Sequence, residues 1–201
     1  MKTETKFLGI ILIATLVLLF GGIFLLTKQG LSPVVGETTV LPIDYSKGQR
    51  IGSDSAKVKL VEFSDLECPA CAAAEPYVKK VKSDYPDKVQ LIYRHFPLPQ
   101  HTHSRQVAIF AEAVAEQGKF WEMHDKIFET QAQWTILSEK EAAVFFLNLA
   151  NDLNLDEDKL SKALEDPKTK ARVDEDEAES RRLGVNSTPT FFLNGRKLNL
   201  Q

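Results

Sequence analysis

Apolar and polar positions divide the chain into three parts. Phe7 to Leu26 is a run of twenty uncharged, mainly apolar residues. At about 1.5 Å rise per residue, a helix of that length spans roughly 30 Å, the thickness of a bilayer core. From Gln29 to about Gly48 the pattern loses both helical and alternating order, and Gly, Pro, Ser and Thr dominate, as in a tether. The periodic patterns of a folded body begin after it.

In that body Val58, Leu60, Val61 and Phe63 predict a strand over Lys57 to Phe63, apolar enough to be covered on both faces. A helix follows, with Pro69 in its first turn and Ala72, Ala73, Ala74, Tyr77, Val78 and Val81 continuing it. Pro76 predicts a kink, and Asp84-Tyr85-Pro86-Asp87 predicts the stop. Val89 to Tyr93 alternates as a second strand, which completes a βαβ unit and hence a parallel pair. From Ser104 the period becomes 3.6, with Gly118 as a stop. Further helices are predicted over about Lys119 to Thr130, after the capping box Ser138-Glu139-Lys140-Glu141, and over about Asp156 to Glu165. This helical block, about 102–165, is inserted between sheet elements. Asp166-Pro167 opens a polar helix ending near Leu183-Gly184. Thr190 to Leu193, Asn194-Gly195 and Arg196 to Leu200 read as a β-hairpin.

Charge changes this picture by exclusion. Lys and Arg number 25 against 28 Asp and Glu, for a net charge of -3. No basic cluster supports nucleic-acid binding. Around the apolar run the cations favour a cytoplasmic N-terminus, since Lys2 and Lys6 precede it and only Lys28 closely follows. The run is longer than the roughly 7–15 apolar residues of a signal peptide and lacks an Ala-x-Ala exit, so an uncleaved anchor is expected. No cysteine lies near enough for a lipoprotein anchor. The body is therefore expected outside the membrane, in an oxidising compartment.

The only two cysteines in 201 residues, Cys68 and Cys71, stand where the first strand gives way to the first helix. Two thiols three positions apart there can close a disulfide, and unpaired helix N-H groups favour an anion on the sulfur nearer the helix end. Zinc ligation would need two more donors, for which His101 and His103 are the candidates. Pro69 and the absence of a second cysteine pair fit that reading poorly, and an inert thiol pair fits the interrupted apolar pattern poorly. Redox exchange, with Cys68 attacking and Cys71 resolving, fits best. Glu62 is exposed if its strand lies at an edge. If the strand is central it is buried near the cysteines, where it can exchange a proton with Cys71. His95, His101 and His103 read as surface or capping residues. Trp121, Phe128, Trp134, Phe145 and Phe146 read as core, and the acidic run Asp174 to Glu179 as a solvated helix face.

Glu62 six residues before Cys68, the Cys68-Pro69-Ala70-Cys71 motif, Pro76, and Thr188-Pro189 before Thr190-Phe191-Phe192-Leu193 together resemble the thioredoxin superfamily. The helical insertion, with Glu62-Phe63-Ser64-Asp65 and Arg94-His95-Phe96-Pro97-Leu98, is similar to its DsbA-type branch of cell-envelope thiol-disulfide oxidoreductases. The likeness covers about Ile51 to Leu200.

The resemblance implies an α/β thioredoxin-like fold with an inserted helical subdomain, over 49–201; the apolar run puts before it a cytoplasmic N-terminus with one transmembrane anchor (1–28) and an extracytoplasmic linker (29–48). It also implies a cis Thr188-Pro189 bond against the dithiol, with Thr188 pairing with an extended substrate. Pro69 and Ala70 would set how well the Cys68 thiolate is stabilised. Expected partners are cysteine-containing exported polypeptides and a membrane quinone-linked thiol oxidase or reductase. No organic cofactor and no metal are expected. The family's usual final helix is not expected after the hairpin. An oxidase is the expected activity, with a reductase or isomerase of the same fold as the alternative. The rival from another class is a non-catalytic, membrane-tethered binding or metal-binding module.

Overall fold

A computed structural model describes residues 39–199. The apolar run Phe7 to Leu26 and the first half of the expected tether lie outside the described residues. Among the described residues, no helix is long and apolar enough to cross a membrane.

The body is built on a five-stranded sheet of order β1-β3-β2-β4-β5. Its strands are β1 (Gln49–Ile51), β2 (Val58–Ser64), β3 (Val89–His95), β4 (Thr190–Leu193) and β5 (Arg196–Lys197). Between β2 and β3 runs α1 (Pro69–Asp84). The insertion carries α2 (Ser104–Ala115), α3 (Phe120–Glu129), α4 (Gln131–Trp134), α5 (Glu139–Asp152) and α6 (Glu157–Glu165), and α7 (Pro167–Arg182) leads back to the sheet. β2 pairs parallel with β3, as a βαβ unit requires, and antiparallel with β4. It is therefore the central strand, and its run of apolar residues is covered on both sides.

Alternation along β2 sends its residues to two different layers. Leu60 meets Leu91, Phe191 and Val78 beneath α1. Val61 and Phe63 join Ile92, Phe192, Leu183 and Val185 on the opposite face. Phe63 and Phe192 meet edge to face at 5.8 Å, and each is fully buried, which contributes about 1.5–3 kcal/mol per side chain. Leu41, Ile43 and Tyr45 complete that face, so this part of the stretch read as tether packs on the body. The hairpin turn holds it there. Asn194 and Gly195 both have positive φ, and Leu41 N donates to Gly195 O at 2.8 Å. A Cβ at Gly195 would come within 2.7 Å of the Leu41 carbonyl oxygen.

Several helix ends follow from local chemistry. The capping box at Ser138 is formed in both directions with Glu141, and Asp156 and Asp166 cap α6 and α7. Other expectations need correction. β1 was not foreseen, because three residues between Gly48 and Gly52 carry too little pattern. α4 was not foreseen, and β5 covers two residues rather than the five read from sequence.

The acidic run on α7 is solvated only in part, since Asp174 and Glu175 are exposed while its other acids turn inward. Asp176 is buried and pairs with Arg94 of β3, while Glu179 reaches the same guanidinium at 2.5 Å. Asp176 also accepts from His95 N at 2.8 Å. These bonds fasten α7 to the sheet. His95 is no surface residue either, since it ends β3, is buried, and lies 3.1 Å from Glu112.

Candidate active site

Cys68 is the residue immediately before α1, in extended conformation, and Cys71 lies within the first turn. Pro69 suits that turn because its missing N-H has no helical partner to lose. Both thiols are free and buried, Cys71 completely. Pro69 and Ala70 are exposed beside them. Ala70 brings neither charge nor hydrogen-bonding side chain to the mouth of the site.

The facing wall comes from the start of β4. The Thr188-Pro189 bond is cis, as the resemblance implied, and the Cys68 sulfur lies 3.7 Å from the Thr188 carbonyl oxygen. The two thiols differ sharply in acidity. A hydrogen bond from Cys71 pulls Cys68 down to about 5, against burial, with further help from Thr188 and the backbone of Cys71 and Ala70. Sharing that bond, and buried itself, Cys71 is pushed far up. One dithiol thus divides into a ready thiolate and a reluctant thiol.

Glu62 is 2% exposed, because β2 is central. Burial lifts its carboxyl to about 7, against the pull of the Ser64 hydroxyl. It stands opposite Tyr93 in register, and Glu62 and Cys71 both raise the Tyr93 phenol further after burial has done so. No hydrogen bond joins Glu62 to Cys71 directly. Tyr93 is the neighbour that both groups act on, so a carboxyl titrating near neutrality there can exchange a proton with that thiol only through a bridging donor.

The residues that hold the loop ahead of Cys68 were missed in the sequence. Asp65 is buried and accepts from Glu67 N at 2.9 Å, Ser104 Oγ at 2.5 Å and Leu98 N at 2.9 Å, and lies 2.7 Å from His101 Nδ1. Cys68 N donates to its carbonyl at 3.0 Å. From the insertion, Gln131 donates to Leu66 O at 2.9 Å and Cys68 O at 3.2 Å. An aspartate two residues before a backbone donor is the available sequence signal for the first. Gln131 gives no signal, since its targets are carbonyls more than sixty residues away.

The zinc reading of Cys68 and Cys71 finds no support. His101 is engaged by Asp65, and His103 is buried with Nε2 at 3.0 Å from Leu137 O. Among the described residues, the metal-competent group of three donors is Glu75, His124 and Asp125, which includes neither cysteine.

Comparison with known proteins agrees with this geometry. A family model described as Thioredoxin matches residues 45–201. The crystal structure of a thioredoxin-like oxidoreductase from Silicibacter pomeroyi DSS-3 is 28% identical, with a TM-score of 0.62 over 75% of this chain and 82% of that one. Pseudomonas aeruginosa DsbA2 is 26% identical, with a TM-score of 0.56 over 81% and 88%. Oxidised BdbD from Bacillus subtilis shares the fold, with a TM-score of 0.71 over 81% and 90% at 21% identity. Among curated proteins, a Na(+)/H(+) antiporter NhaA 3 from Salinispora tropica is 36% identical over 159 residues, 79% of this chain. That match spans 23% of the antiporter, so the chain has about a quarter of the length of the curated relatives it matches.

Proposed function

Because the chain belongs to the thioredoxin family, we propose that it is a DsbA-type thiol-disulfide oxidoreductase that oxidises cysteines of exported polypeptides. Phe7 to Leu26 anchors it in the membrane with the body outside. Ion antiport is not carried over from the longer relatives, which share only a quarter of their length with it.

The observation that carries this reading is the asymmetric dithiol, with the Cys68 sulfur at a helix start 3.7 Å from the Thr188 carbonyl. In the oxidised protein a substrate thiolate attacks the Cys68 sulfur. The Cys68-Cys71 bond breaks, and Cys71 departs and takes up a proton supplied from the Glu62 pocket. A second substrate thiolate then attacks its neighbour's sulfur in the mixed disulfide and expels Cys68. Two electrons have entered the Cys68-Cys71 pair, and the substrate holds the disulfide. Cys68 is a good leaving group because its thiolate persists to about pH 5. Thr188 and Pro189, with exposed Pro69 and Ala70, form the surface that an extended substrate meets. A quinone-linked membrane partner restores the disulfide.

The same asymmetry supports the oxidising direction. Stabilising the Cys68 thiolate stabilises the reduced protein, which makes the disulfide the stronger oxidant. Equilibration of the full chain against glutathione measures this. The expected potential lies well above the roughly -270 mV of thioredoxin. A value near or below that figure supports the reductase reading instead. For topology, a membrane-impermeant maleimide should label Cys68 on intact cells after mild reduction. Labelling only after permeabilisation contradicts the outward-facing body.

A further inference from the structure

One turn after Cys71, on the same buried face of α1, lies Glu75. His124 and Asp125 approach it from α3. Glu75 is 6% exposed and His124 1% exposed. Glu75 Oε2 and His124 Nε2 face each other at 3.9 Å, too far for a hydrogen bond, and neither atom has another partner. The imidazole is fixed in that pose. Its other nitrogen, Nδ1, lies 3.1 Å from Asp125 Oδ1, so a proton on Nδ1 is shared with a carboxylate and the lone pair of Nε2 is turned toward Glu75. Tyr93, Phe120, Trp121 and Phe128 enclose the ring at centroid distances of 5.0, 5.8, 5.2 and 4.9 Å.

Two buried polar atoms that face each other without a partner in an aromatic enclosure are costly unless something between them engages both. A proton on either cannot bridge the gap, whereas a metal ion can. Zinc lies about 2.0–2.2 Å from histidine nitrogen or carboxylate oxygen, so two such bonds span up to about 4.2 Å. A histidine whose second nitrogen is held by a carboxylate is also the usual form of a metal-bound imidazole.

We propose that Glu75 and His124, with Asp125 beside them, form a site for one divalent metal ion of the zinc class, joining the active-site helix to the insertion. A nitrogen and carboxylate oxygens suit zinc better than calcium or magnesium, which take oxygen donors alone. Lys79 is the local competitor, with Nζ 3.4 Å from Asp125 Oδ2 and 33% of its side chain exposed, enough to swing outward. The site does not depend on the redox reading, since neither cysteine belongs to it.

The test uses the full chain with Cys68 and Cys71 both changed to Ser, so that zinc cannot bind the thiols. Calorimetric titration should find one equivalent of zinc. In the same background Glu75→Gln and His124→Gln should each weaken binding at least tenfold, with native circular dichroism retained. Asp125→Asn should weaken it by a similar or smaller factor through the lost imidazole orientation, roughly 10–100-fold being typical of such supports. Because replacing a core histidine can loosen the fold, cobalt(II) provides a readout that needs no change at the site. Visible bands should appear on titrating the double-serine chain and disappear on adding zinc. Absence of zinc binding and of cobalt bands, or zinc binding unaffected by Glu75→Gln and His124→Gln, overturns the site.

Discussion

Glu62→Gln should stabilise the reduced protein at pH 8 and leave its stability unchanged at pH 4. The carboxyl titrates near its ordinary value of 4.5 in the unfolded chain and near 7 when folded, because burial disfavours its charge. Between those values the folded state binds more protons than the unfolded state, so stability falls as pH rises from 4.5 to 7 and the full penalty persists above. At about 1.4 kcal/mol per pH unit, a rise from 4.5 to about 7 corresponds to roughly 3 kcal/mol. Glutamine has the shape of the protonated acid and cannot ionise, so it removes that penalty above pH 7. Below 4.5 it replaces a carboxyl that is neutral in both states. Glu75, whose carboxyl is raised by burial and then by the Glu62 charge, gains further relief at high pH. Guanidinium unfolding of the reduced full chain and its variant, in detergent at pH 4 and pH 8, measures both differences. An equal effect at the two pH values, or a loss of stability at pH 8, refutes the burial argument.

Other outcomes follow from single contacts. Arg94→Ala leaves Asp176 buried without its cation and should cost about 3–5 kcal/mol in the same unfolding assay. Ser138→Ala breaks the capping box of α5 and should cost about 1 kcal/mol by thermal or guanidinium unfolding, with disulfide exchange rates unchanged.

The sequence was most legible where neighbours decide the outcome. Pro69 after a strand of Val, Leu and Phe marks a helix start at the cysteines, and Ser138 with Glu141 marks a second one, because the partners lie within a few residues. Glu62 could be placed only conditionally. Its burial depends on β3 and β4 flanking β2, and β4 is supplied by residues about 130 positions later. The same distance hid the charges of α7. A row of acids looks solvated until Arg94, 82 residues away, is found inside the sheet beside Asp176. Glu75 and His124 escaped notice because each falls on a helix whose pattern its neighbours already explained. Only packing α3 against α1 brings their unpaired atoms face to face.

The central claim is that Cys68 exchanges disulfides with substrate while Cys71 resolves them. Incubating the full-chain Cys71→Ser variant with a peptide carrying one activated disulfide, quenching in acid and mapping the adduct by mass spectrometry tests it directly. The account predicts a stable mixed disulfide on Cys68 that forms readily at pH 6, whereas Cys68→Ser, which retains only the buried and weakly acidic Cys71, forms none at a comparable rate. An adduct that forms as fast on Cys71, or no adduct on Cys68, would contradict it.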